Sequence, residues 1–154
     1  MIYIMMKTGA PLKTAATPKG ILHLEFAYDK AQVNTIITAW SVDNKLAAAK
    51  TNTYWDFCFL FFYAFFLFFT CVKLSEKFSA AGWKNKAGLF FAKMAILAGM
   101  LDIGENIGML QTLNGNGNTT SWQITTGCAA TKWSLVILVI LYILFAVIAK
   151  RGRA

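Results

Sequence analysis

Residues 87–113 read AGLFFAKMAILAGMLDIGENIGMLQTL. The run exceeds the roughly 20 residues that a helix needs to cross a bilayer, yet it carries Lys93, Asp102, Glu105 and Asn106. A soluble amphipathic helix is the competing reading, and the flanking segments decide between the two. Residues 54–74 (YWDFCFLFFYAFFLFFTCVKL) are apolar apart from Asp56 near the start and Lys73 near the end. Residues 132–150 (KWSLVILVILYILFAVIAK) hold no charge from Leu135 to Ala149, with Trp133 placed as an interfacial anchor. A lysine-rich connection precedes the middle segment and the Asn-Gly connection at 114–118 follows it. Crossing puts these two on opposite sides, and the last span then returns the chain to the basic side. The expected fold is all-α: a polytopic membrane helical bundle with three full spans, a partial N-terminal span and an external amphipathic segment. In numbers, residues 1–6 form the partial span, 7–52 the external helices and 53–74 the first full span. A cytoplasmic loop at 75–86, a span at 87–113, an external loop at 114–131 and a span at 132–150 complete a single membrane domain.

Composition agrees. Of 154 residues, 57% are hydrophobic and only 14% charged, where a soluble domain carries about a quarter charged. The net charge of +8 raises the question of nucleic acid. The basic residues, however, are scattered over loops and termini with no basic face, which is what membrane topology produces. Nucleic acid is not an expected partner; the lipid bilayer is, together with other membrane subunits or further copies of the chain. Cys58 and Cys71 sit about 20 Å apart on one helix and cannot bond there, and Cys128 precedes the last span; apolar filler is the expected role. With one His and no C-x-x-C, neither a metal site nor a cofactor is expected.

Basic residues also set the orientation. Lys73, Lys77, Lys84 and Lys86 flank the first connection, and Lys150, Arg151 and Arg153 follow the last span. The positive-inside rule puts both in the cytoplasm. Residues 7–52 are then extracytoplasmic, despite six Lys against Glu25, Asp29 and Asp43 in residues 1–52. The opening MIYIMM is too short to span; it reads as the tail of a fourth span or as a simple interfacial anchor. Thr17 with Pro18 predicts a helix start, although the alternation of Leu22, Leu24 and Phe26 also fits a short strand. Asp29 with Gln32 predicts a second start of the capping-box type, followed by Val33, Ile36, Ile37 and Trp40 on one face. A polar connector at 41–53 leads into the first full span.

In the middle span, Gly88, Ala92, Ala95, Gly99, Asp102 and Asn106 share one stripe at spacings of three and four. Small residues in such a stripe let a neighbouring helix approach closely, so Asp102 and Asn106 are expected to face protein, with Glu105 beside them in the outer half of the bilayer. Lys93 lies on the opposite face and is expected to snorkel. On the first full span Asp56, Tyr63 and Thr70 recur every seven residues. The candidate polar cluster is therefore Asp56, Asp102, Glu105 and Asn106, with Tyr63 on the facing helix and with Glu25 and His23 lowered onto it from outside. An ionisable residue within a membrane costs about 3 kcal/mol or more at the centre and is a functional hypothesis by default. Three readings compete: a hydrogen-bonded latch between helices, a site for a cation or cationic group, and proton transfer or acid–base chemistry. Gly104 and Gly108 form G-x-x-x-G, suited to a dimer contact or to packing within the chain. The sequon Asn118-Thr119-Thr120 and the N-G-N-G-N turn carry no chemistry of their own.

The run T-P-K-G-I-L-H-L-E-F-A at 17–27, the helix end Ala39-Trp40, the opening Trp55-Asp56-Phe57 and the D-x-x-E-N of Asp102, Glu105 and Asn106 together resemble uncharacterised bacterial integral membrane proteins. The likeness covers most of residues 17–106. It implies a four-span protein of the bacterial inner membrane with external helices between the first two spans; this chain departs from it by showing only residues 1–6 of a first span. It implies no activity. The expected function is a non-enzymatic accessory subunit or binding and scaffold module, with a proton- or cation-handling transporter or membrane enzyme using Asp102 and Glu105 as the alternative.

Overall fold

A computed structural model describes residues 1–42, 44–80 and 82–151. Asp43, Ala81 and residues 152–154, with the side chains of Lys150 and Arg151, lie outside the described residues, and with them part of the charge used above for orientation. Among the described residues six α-helices follow one another: α1 (Ile2–Gly9), α2 (Leu22–Glu25), α3 (Lys30–Trp40), α4 (Lys45–Ser75), α5 (Trp83–Leu113) and α6 (Thr119–Arg151), with a 3₁₀ turn at Ala10–Leu12. No strand occurs among the described residues. The fold is an all-α helical bundle in which α4, α5 and α6 are each long and apolar enough to cross a membrane. At 31 residues, α5 measures about 46 Å, longer than the roughly 30 Å hydrocarbon core.

The surface explains why such helices need lipid. On α4, Phe61, Phe62, Phe65, Phe66 and Phe69 are all exposed, as are Ile137, Leu138, Leu141, Leu144 and Ile148 on α6. A contiguous apolar surface of this kind marks a membrane or partner face. Inward, the pattern reverses to small residues. The six positions of the α5 stripe, from Gly88 to Asn106, are all buried, and Lys93 is exposed.

All three long helices begin earlier than the apolar runs suggest, α5 at Trp83 within the loop expected at 75–86. The connector expected at 41–53 is helical from Lys45, because Lys45, Leu46 and Ala47 to Ala49 favour helix and Asn44 supplies the positive φ of 56° that turns the chain into it. The loop expected at 114–131 is helical from Thr119. Asn118 caps that start: Ser121 N donates to Asn118 Oδ1 at 3.0 Å while Asn118 N donates to Ser121 Oγ at 2.9 Å. Trp133 therefore stands well inside α6, not at its beginning.

The chain resolves into two compact units. The first contains Met1–Leu60 and Leu101–Ala130, the second Phe61–Met100 and Thr131–Ala154. In the first, Leu12, Leu24, Val33, Ile36, Trp40, Met109 and Leu113 form the apolar core. Asp29 caps α3 as its sequence predicts, accepting from Gln32 N at 2.8 Å, and Gln32 Oε1 in return accepts from Tyr28 N at 3.2 Å. Thr17 does not cap a helix. Its hydroxyl donates to Leu12 O at 2.8 Å and accepts from Trp40 Nε1 at 3.1 Å, so the chain turns through Gly20, at φ +61°, into the single helical turn of α2. The second unit packs Leu67, Cys71, Ala92, Ala95, Val139, Tyr142 and Ala146. There Phe91 stacks on Tyr142 with centroids 4.9 Å apart, and a Cβ on Gly88 would strike Ser75 and the Tyr142 hydroxyl.

Candidate functional site

The first unit buries an unusual share of polar side chains: Thr17, Glu25, Asn52, Thr53, Asp102, Glu105, Asn106, Thr112 and Thr125. Helical spacing explains the centre of this set. Asp102 is one turn from both Glu105 and Asn106, so the three crowd one stretch of α5, and each is at most 2% exposed. Asn106 Nδ2 reaches across to α4 and donates to Asp56 Oδ2 at 2.9 Å. The expected cluster thus contains a hydrogen bond between two long apolar helices. The carbonyl Oδ1 of the same amide is buried with no hydrogen-bond partner, although it lies beside that contact.

The other candidates have the following surroundings. Tyr63 packs with the apolar core of the second unit. Glu25 is buried within α2. His23 instead lines a cleft between α2 and α3, where Lys19, Gln32 and Thr35 also face. Among the described residues no three His, Cys, Asp or Glu side chains are arranged to hold a metal ion. Cys58, Cys71 and Cys128 form no disulfide.

Further polar links tie the N-terminal segment to the same unit. Asn52 Nδ2, on a residue only 2% exposed, donates to Thr8 Oγ1 at 2.7 Å and to Met5 O at 3.2 Å, joining α1 to α4. Trp40 Nε1 donates to Leu12 O at 3.0 Å. Between α5 and α6, a Cβ on Gly108 would fall on Thr125 Oγ1, so the second glycine of G-x-x-x-G serves close packing within the chain. Thr125 in turn donates to Ser121 O at 2.8 Å.

Lys132, in the second unit, is also buried, and it escaped the sequence reading. It is 6% exposed, and its ammonium lies 5.4 Å over the Trp133 ring. The signal was present: Trp122, Thr125, Ala129 and Lys132, all buried, follow spacings of three and four. That stripe is hidden once residues 114–131 are read as a loop.

Comparison with protein-family models, with curated proteins and with solved structures finds no match.

Proposed function

We propose that this chain is a non-enzymatic membrane module, an accessory subunit or scaffold, whose carboxylate–amide cluster locks α4 to α5. The hydrogen bond from Asn106 to Asp56 carries this reading. A buried amide whose donor is given to a carboxylate on the next helix is doing the joining work that intramembrane polar groups commonly perform, worth about 0.6 kcal/mol and at most about 1.7. The link from Asn52 to α1 and that from Trp40 to Leu12 are of the same kind, each tying a separate segment into the first unit. The membrane is a bacterial inner membrane, with the C-terminus in the cytoplasm and residues 7–52 outside, on the argument of the flanking lysines. The resemblance to bacterial four-span proteins supports the same setting.

The open carbonyl of Asn106 favours a second reading, in which the cluster handles a proton or a monovalent cation. A donor arriving there would be held by that carbonyl beside the Asp56 carboxylate. Asp102→Asn with Glu105→Gln separates the two readings. Under the scaffold reading, the double variant melts at lower temperature in detergent and accumulates poorly. If it folds and accumulates normally while proton or sodium flux through proteoliposomes disappears, the scaffold reading is wrong.

A further inference from the structure

The cleft between α2 and α3 has a chemistry of its own. It encloses about 530 Å³, within the roughly 300–1,000 Å³ of sites that hold small molecules. Leu22, Phe26 and Ile36 supply an apolar wall, and Ala16 and Ala31 leave the space open because their side chains end at Cβ. Lys19, His23, Gln32 and Thr35 supply the polar groups, and no carboxylate lines it among the described residues. The His23 ring is only partly covered, yet its Nδ1 is buried and without a hydrogen-bond partner.

An apolar wall with one lysine and no carboxylate matches a molecule with a long apolar tail and an acidic head. We infer that this cleft binds the acyl chain of an anionic lipid, with Lys19 pairing with the acidic head and the His23 ring lining the site. Charge selects this occupant over a neutral lipid, because the one charged group on the wall is a lysine. The setting agrees: the cleft belongs to a chain whose long helices expose apolar surface suited to lipid. This inference is independent of the role given to Asp56 and Asn106.

His23 is the only histidine in the chain, so the imidazole NMR signal of the full-length protein reports on the cleft without ambiguity. The probe is oleate, added to the protein in nanodiscs of phosphatidylcholine. The signal is expected to shift and saturate. Lys19→Ala, at an exposed position, is expected to weaken binding about tenfold, the scale of one charge-assisted contact. Ala31→Trp, which fills the cleft from an exposed backbone position, is expected to abolish the shift. Monoolein, with the same tail and no charge, is expected to bind at least tenfold more weakly than oleate. A shift that survives Ala31→Trp would mean partition at the surface and would overturn the inference. So would an equal response to monoolein, or affinity for oleate unchanged by Lys19→Ala.

Discussion

The two units of this protein are built from the same three long helices, yet they are held together differently. In Met1–Leu60 with Leu101–Ala130, an apolar core is joined by buried polar groups that pair across elements: Asn106 with Asp56, Asn52 with Thr8, Trp40 with Leu12 and Thr17. In Phe61–Met100 with Thr131–Ala154, cohesion comes from shape. Alanines and glycines of α5 admit close neighbours, Phe91 stacks on Tyr142, and the Lys84 ammonium stands 5.7 Å from each of the Phe78, Trp83 and Phe145 rings. Apolar packing gains little from water exclusion where the surroundings are themselves apolar, so close approach and dispersion must supply it. Hydrogen bonds are directional and fix partners. The lesson is that one helix can change its means of association partway along, as α5 does between Gly99 and Asp102.

The contrast can be broken most severely at Trp40. This side chain is fully buried and bonded twice through its indole nitrogen, so Trp40→Ala should cost about 3–5 kcal/mol. Trp40→Phe keeps most of the ring, removes only the donor, and should recover more than half of that loss in detergent unfolding. Next come the close approaches. Gly108→Val in the first unit and Gly88→Val in the second both place atoms where Thr125 or Ser75 and Tyr142 already stand. Each should cost about 1–3 kcal/mol, and comparable melting shifts would show that both units depend on small residues. The polar pins separate the units more sharply. Asn52→Ala should destabilise by about 1 kcal/mol. Tyr142→Phe should cost less, because its hydroxyl reaches Lys84 O only at 3.4 Å. The smallest effect is expected at the exposed pair of Lys73 and Glu76, 2.9 Å apart, where Glu76→Gln should leave melting within experimental scatter.

Much of this was legible in the sequence where the signal is local. Continuous apolar runs reveal spans without any knowledge of contacts, and the spacing from Gly88 to Asn106 told which face of α5 is buried. The pair of Asp29 and Gln32 showed a helix start because both halves of the motif lie within one turn. What escaped depends on distant partners or on polar helix. Thr17 reads as a cap, but Trp40 and the Leu12 carbonyl claim its hydroxyl, and no local rule shows a partner 23 residues away. The early starts of α4 and α6 were hidden by Asn, Thr, Ser and Gln, which look like loop when apolar residues are used to find helices. Asn118 accepts from Ser121 N as Asp29 accepts from Gln32 N, and it could have been read in the same way. Doing so would have carried the α6 stripe back to Trp122 and exposed Lys132 as a buried cation. Within the candidate site, the centre at Asp102, Glu105 and Asn106 followed from spacing on one helix. His23 and Tyr63 required the folded chain, since their surroundings come from α3 and from the second core.

The central claim is that the cluster joins α4 to α5, and a double-mutant cycle on Asp56→Ala and Asn106→Ala tests it most directly. Reversible unfolding in mixed detergent gives the free energy for the parent, each single variant and the pair. The account predicts a coupling of about 0.6–1.7 kcal/mol between the two positions. Strictly additive losses, with no coupling beyond about 0.3 kcal/mol, would contradict it.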